Sequence, residues 1–152
     1  MRIAKSLFVV VLIAVATACG GSKKEPTTAA PVAAQKSLYE RLGGKEAIEK
    51  VMDMFLANVS ADTRINARFA GADVPGLRGK LIDQVCEATG GPCKYTGKDM
   101  KTAHTGMKLT DDDFNALVED LVKALDAAGV AEADKNDLLG ALGGMKGDIV
   151  GL

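Results

Sequence analysis

Apolar residues recur along this chain with a helical period and never settle into the alternation of a strand. Ile48, Val51, Met52, Phe55, Leu56 and Val59 form one continuous stripe. Val74, Leu77, Leu81, Val85 and Ala88 form a second, with Asp73 as N-cap and Pro75 in the first turn. The third stripe, Phe114, Leu117, Val118, Leu121, Val122 and Leu125, has a full start signature: Thr110 as cap, Asp113 three residues on, and Leu109 placed to staple onto Phe114. Asp111, Asp112 and Asp113 fall where the helix dipole favours negative charge, and Gly129 is the expected stop. A last helix is predicted over 132–149 through Leu138, Leu139, Leu142 and Met145. Gly140, Gly143, Gly144 and Gly147 weaken it, each by up to roughly 1 kcal/mol relative to alanine. Between the second and third stripes, 89–97 reads as a loop, and a short helix is expected over about 98–106. The pattern predicts one all-α domain over 37–152.

The first 36 residues follow a different pattern. Arg2 and Lys5 precede an apolar run from Leu7 to Val15, and small residues lead to Cys19. This is the layout of a secretory signal over 1–18, and the run is too short to span a bilayer as a helix. Ala16-Thr17-Ala18-Cys19 resembles the lipobox of bacterial lipoproteins, with Ala16 where leucine is usual. The resemblance implies acylation of Cys19 and a membrane anchor, and plain secretion to the periplasm is the alternative. Gly20 after the cysteine resembles the outer-membrane default, which places the domain in the cell envelope, facing the periplasm. Residues 19–36, rich in Gly, Ser, Thr, Ala and Pro, have almost nothing to bury and read as a lipidated flexible linker.

Charge and composition remove several function classes. Without its first 18 residues the chain has 17 basic and 20 acidic side chains and no basic run, so nucleic acid is not an expected partner. The sequence has one histidine and no tryptophan, which excludes a multi-histidine zinc site within one chain. Neither C-x-x-C-H nor G-x-S-x-G occurs, so covalent haem attachment at such a motif and a nucleophile elbow are both out. The single histidine, His104, shares a helical face with Met100, Ala103 and Met107 and so points the way the apolar side chains point. From the residues alone it is either a satisfied core histidine or a proximal ligand to haem iron.

The segments Ser37-Leu38-Tyr39-Glu40-Arg41-Leu42-Gly43-Gly44, Glu46-Ala47-Ile48, Gly90-Gly91-Pro92, Tyr95-Thr96-Gly97 and Met100-Lys101-x-x-His104 resemble the group I truncated haemoglobins. The resemblance covers 37 to about 150. It implies a two-over-two helical sandwich around haem b, a nearly absent first helix, and a mostly irregular segment before the proximal helix. It also implies that His104 is the iron ligand and that Phe69 packs edge-on against the porphyrin. Met100 and Met107 fall near the proximal face. Lys80, Arg78, Lys98 and the Tyr95 hydroxyl are candidate partners for the propionates, with an ordinary solvated surface position as the alternative for each.

The chain departs from the family on the distal side. Where group I members commonly have a Phe-Tyr pair in the first long helix, this one has Phe55-Leu56, and the distal-helix positions that often carry a polar group are Leu77 and Leu81. Three leucines offer no hydrogen bond to bound dioxygen. A bond to such a partly charged group contributes roughly 1.5–3 kcal/mol, so its absence weakens retention about 10- to 150-fold. The expected function is reversible binding of dioxygen, nitric oxide or carbon monoxide at pentacoordinate haem iron in an apolar pocket. The rivals are a nitric oxide dioxygenase, which needs an external reductase, and a non-haem helical lipoprotein acting as a binding or scaffold module.

Cys86 and Cys93 flank the glycine loop, seven positions apart, in a chain expected to reach an oxidising compartment. A disulfide is expected there, with two free thiols as the alternative and a Cα separation below about 7 Å as the geometric requirement.

Overall fold

The computed structural model describes residues 35–152, which contain six α-helices, two 3-10 turns and no strand. The signal, linker and Cys19 assignments lie outside the described residues. Ser37 opens α1 (Leu38–Arg41) with a complete capping box closed by Glu40. Helix α2 (Gly44–Ala61) is the central element. It turns Ile48, Val51, Met52, Phe55 and Val59 inward, packing against α3 (Val74–Ala88) and α5 (Asp111–Ala127). Burying a side chain of this size contributes roughly 1.5–3 kcal/mol, so this face dominates the domain's cohesion. Helix α4 (Met100–His104) is short, and α6 (Glu132–Gly143) adds Leu138 to the same core. Arg41 of α1 pairs with Asp134 at 2.7 Å and with Asp137, tying the two ends of the domain together. The fold is the expected all-α two-over-two sandwich, α2 and α3 over α5 and α6.

Three expectations are corrected. On α3 the buried positions are Ile82, Val85 and Cys86, whereas Leu77 and Leu81 are only half-buried, Val74 is 46% exposed and Ala88 is exposed. This helix has two adjoining apolar faces that share Val85, and the deeper one runs through Ile82 and Cys86 rather than along the rest of the expected stripe. On α5 the deepest positions include Ala116 and Ala124, because small side chains let this helix approach α2 closely, while Phe114, Leu117 and Val118 stay half-buried. The last helix ends at Gly143 rather than 149. Beyond it the hydrogen bonds tighten to three-residue steps (Met145 N to Leu142 O, 3.0 Å; Asp148 N to Met145 O, 2.9 Å) through a 3-10 turn over Lys146–Asp148. The glycine pair there lowers the cost of leaving the α-helix.

The departure from α3 is where glycine is required. Gly90 adopts φ +84°, and a Cβ on Gly91 would lie 2.8 Å from the Cys86 carbonyl oxygen and 2.5 Å from the Tyr39 ring. The second 3-10 turn, Asn66–Phe69, lies between α2 and α3. Its Arg68 reaches Asp113 of α5 at 2.8 Å and the Met107 carbonyl at 3.3 Å. The C-terminus closes on the same region, with Lys108 N donating to Leu152 O and Gly151 N to Leu109 O.

Candidate functional site

The site is built around α4, five residues long and capped at both ends. The Asp99 carboxylate accepts from Thr102 N at 2.8 Å and from Thr102 Oγ1 at 2.6 Å, and Thr105 Oγ1 donates to the Lys101 carbonyl. These bonds from Thr102 hold the Asp99 carboxyl below the usual range. The loop leading to α4 is fastened to the end of α3. Cys86 and Cys93 are joined by a disulfide with Cα atoms 5.7 Å apart. Glu87 accepts from Tyr95 N at 2.9 Å and from Lys94 Nζ at 3.0 Å, which lowers its own pKa.

His104 is the last residue of α4 and is half-buried. Its Nδ1 lies 2.7 Å from the Met100 carbonyl oxygen. A carbonyl only accepts, so Nδ1 carries the hydrogen and donates it. In the neutral ring the lone pair is then on Nε2, and the ring's orientation is fixed from behind. This is the arrangement in which histidines bind metal, one nitrogen bonded to the protein and the other left to the ion.

Helix α3 carries Leu77, Leu81, Gln84 and Ala88 at successive helical turns, and Gln84 and Ala88 share a cavity with Met100 of α4. Leu56 of α2 and Phe69 of the 3-10 turn are likewise half-buried, and with Leu81 they pack against the core edge. Helix α4 packs on the Lys146–Asp148 turn, and its Met100 side chain approaches Gln84 of α3. Near the end of α3 a cavity of about 320 Å³ opens between Gln84, Glu87, Ala88, Tyr95, Asp99, Met100 and Met145. Tyr95 and Met100 thus share a cavity, and His104 meets it only through its hydrogen bond to Met100, whereas His104 itself, Leu56, Phe69, Leu77, Leu81 and Lys80 lie outside that cavity's lining. Gln84 was not legible as a site residue. Its signal was a polar side chain three positions after Leu81 and seven after Leu77. Its Nε2 lies 3.4 Å from the sulfurs of both Met100 and Met145.

The charged candidates divide. Arg78 is engaged by Asp53, with Nη2 2.9 Å from Oδ2. Lys80 and Lys98 are exposed and take part in no ion pair among the described residues. The Tyr95 hydroxyl donates to the Lys98 carbonyl at 2.7 Å, which commits its proton to the loop rather than to a carboxylate ligand. Burial, then the charge of Asp99, pushes that phenol's pKa up.

A haem fits these residues. The chain offers one imidazole nitrogen with a free lone pair, and among the described residues no three His, Cys, Asp or Glu side chains converge to hold a bare ion. An iron at His104 therefore needs its equatorial ligands from outside the protein, as a porphyrin supplies them. The half-buried leucines of α3, with Leu56 and Phe69, are the apolar surface such a macrocycle would cover.

Comparison with known proteins points the same way. The bacterial-like globin family model matches residues 37–150. Group 1 truncated hemoglobin GlbN of Mycolicibacterium paratuberculosis is 39% identical over 106 residues, covering 70% of this chain and 78% of its own. The group 1 truncated hemoglobin of Tetrahymena pyriformis is 32% identical over 116 residues, 76% of this chain and 96% of that one. Its crystal structure in the Fe(III) form superposes with a TM-score of 0.75, covering 77% of this chain and all of the other. The 2/2 hemoglobin of Synechococcus sp. PCC 7002, in the cyanomet state and with covalently attached heme, gives 0.72 at 30% identity, covering 76% and 98%.

Proposed function

The chain belongs to the bacterial-like globin family, and from that premise we propose that it binds one haem b at His104 and takes up a diatomic gas reversibly. The observation that carries this reading is the His104 ring, tethered through Nδ1 to the Met100 carbonyl with Nε2 left for a metal. Bound haem supplies an iron with one position open to a gas. The protein's part is to orient and to exclude. The Met100 carbonyl fixes the tautomer and the ring's orientation. Leu56, Leu77 and Leu81 line the gas side, keeping water out and offering no hydrogen-bond donor. Phe69 packs against the ring's edge. Lys80 and Lys98, solvated and free of ion pairs, supply charge for the propionates.

Titration of the purified protein with haem tests this. One equivalent is expected to give a sharp Soret band that His104→Ala abolishes; an unchanged band in the variant refutes the assignment.

In the same reading the domain works in the cell envelope, released from a signal over 1–18, acylated at Cys19 and spaced from the membrane by 19–36. The support is the sequence of that segment. Metabolic labelling with a fatty acid is expected to mark the wild type and not Cys19→Ser; equal labelling removes the anchor.

A further inference from the structure

We infer that Gln84 is a positioning residue for His104, acting through Met100; the inference rests on the haem reading above. Gln84 lies on the α3 face that carries Leu77 and Leu81, and its Nε2 is 3.4 Å from the Met100 sulfur and 3.4 Å from the Met145 sulfur. Two amide hydrogens thus meet two thioethers, joining α3 to α4 and to the turn that follows α6. Thioether sulfur is a weak acceptor, so the amide's value there is geometric. Met100 is where this link meets the imidazole. Its side chain receives from Gln84, and its carbonyl receives from His104 Nδ1–H at 2.7 Å. Helix α4 has five residues and packs on the Lys146–Asp148 turn. Beside the loop stapled by Cys86 and Glu87, the Gln84 amide is a side-chain link from α3 to α4. Gln84→Leu keeps a similar volume and removes the amide, and Met100→Leu keeps a similar volume and removes the sulfur acceptor.

The test uses the full-length holoprotein, Gln84→Leu, Met100→Leu and the double variant. In Gln84→Leu the Fe–His stretching band of the ferrous protein is expected to move and haem loss to accelerate about 2-fold, the low end of the range for one hydrogen bond, since sulfur accepts weakly. Met100→Leu should do the same, and the double variant no more than Gln84→Leu alone, since both remove the Gln84–Met100 link. The C–O stretch of the carbon monoxide complex should stay where it is. An unmoved Fe–His band in Gln84→Leu, additive effects in the double variant, or a shifted C–O stretch overturns the inference; the last would make Gln84 a donor to the gas instead. Hydrogen exchange at the Ala103 and His104 amides of the apoprotein, expected to be faster in Gln84→Leu, reports on the link without haem. Equal exchange counts against it even if the variant retains no haem. A wild type without a Soret band removes the haem reading itself, a different outcome from a normal wild type with insensitive variants.

Discussion

Cys86 and Cys93 are joined across a 5.7 Å Cα separation, so the buried end of α3 and the loop that delivers His104 move as one piece. By loop entropy a ring this small contributes at most about 2–3 kcal/mol. Cys93→Ser is expected to lower unfolding free energy in urea by up to that amount. The native bond should also resist dithiols. Attack at the half-buried Cys93 sulfur would expel the Cys86 thiolate at a position with no solvent exposure, where a charge is costly. Rapid reduction of the folded protein, or an unchanged urea midpoint in Cys93→Ser, contradicts this.

Leu56 occupies a half-buried position on α2 beside the core edge, where a hydroxyl-bearing side chain would bring the missing donor. Leu56→Tyr is expected to slow dioxygen release about 10- to 150-fold, the value of a hydrogen bond to a charged acceptor. Stopped-flow release from the two proteins decides it, and equal rates remove the apolar-pocket reading.

Asp99 holds the first turn of α4, and a five-residue helix has no other N-terminal cap. Asp99→Ala should cost about 0.5–2 kcal/mol. The cost falls locally, so haem transfer to a scavenging apoglobin is expected to speed up while the global unfolding midpoint moves little. A large global loss with unchanged transfer would place the cap's role in the core instead.

Acid should destabilise the domain in a defined window. Hydrogen bonds from Arg64 bring Asp62 down to about 2; Arg78 lowers Asp53, and the Thr110 backbone, ahead of Arg68, lowers Asp113. Asp99 and Glu87 are lowered as described. Each folded pKa lies below its unfolded value, so the unfolded chain binds more protons and stability falls as pH falls. Thermal midpoints are expected to be level above about pH 5 and to drop steadily between about pH 4 and pH 2. A midpoint that held or rose across that window contradicts these pairings.

The long-helix pattern was legible because a strong stripe needs only one partner. Ile48, Val51, Met52, Phe55 and Val59 of α2 turn inward as their period dictates. It blurred on α3, where two apolar faces adjoin and periodicity cannot say which lies deeper. Alanines carry little hydrophobic signal, so periodicity does not single out Ala116 and Ala124, which are buried on α5. At the site, the half-buried face shared by Met100 and His104 followed from their spacing, but Ala103 and Met107, expected on the same face, are exposed, Met107 because α4 ends at His104; the bond between the ring and the carbonyl depends on a rotamer. The Glu87–Tyr95 staple and the Gln84 link depend on tertiary placement, and no local rule contains them.

The most direct measurement is the optical spectrum of the ferrous holoprotein before and after carbon monoxide. The expected result is the single broad visible band of five-coordinate haem, giving way on addition of the gas to a sharp, shifted Soret band, with both absent in His104→Ala. Two narrow visible bands that resist the gas would mean that a second side chain already closes the iron. A His104→Ala spectrum matching the wild type would mean that the imidazole does not hold it.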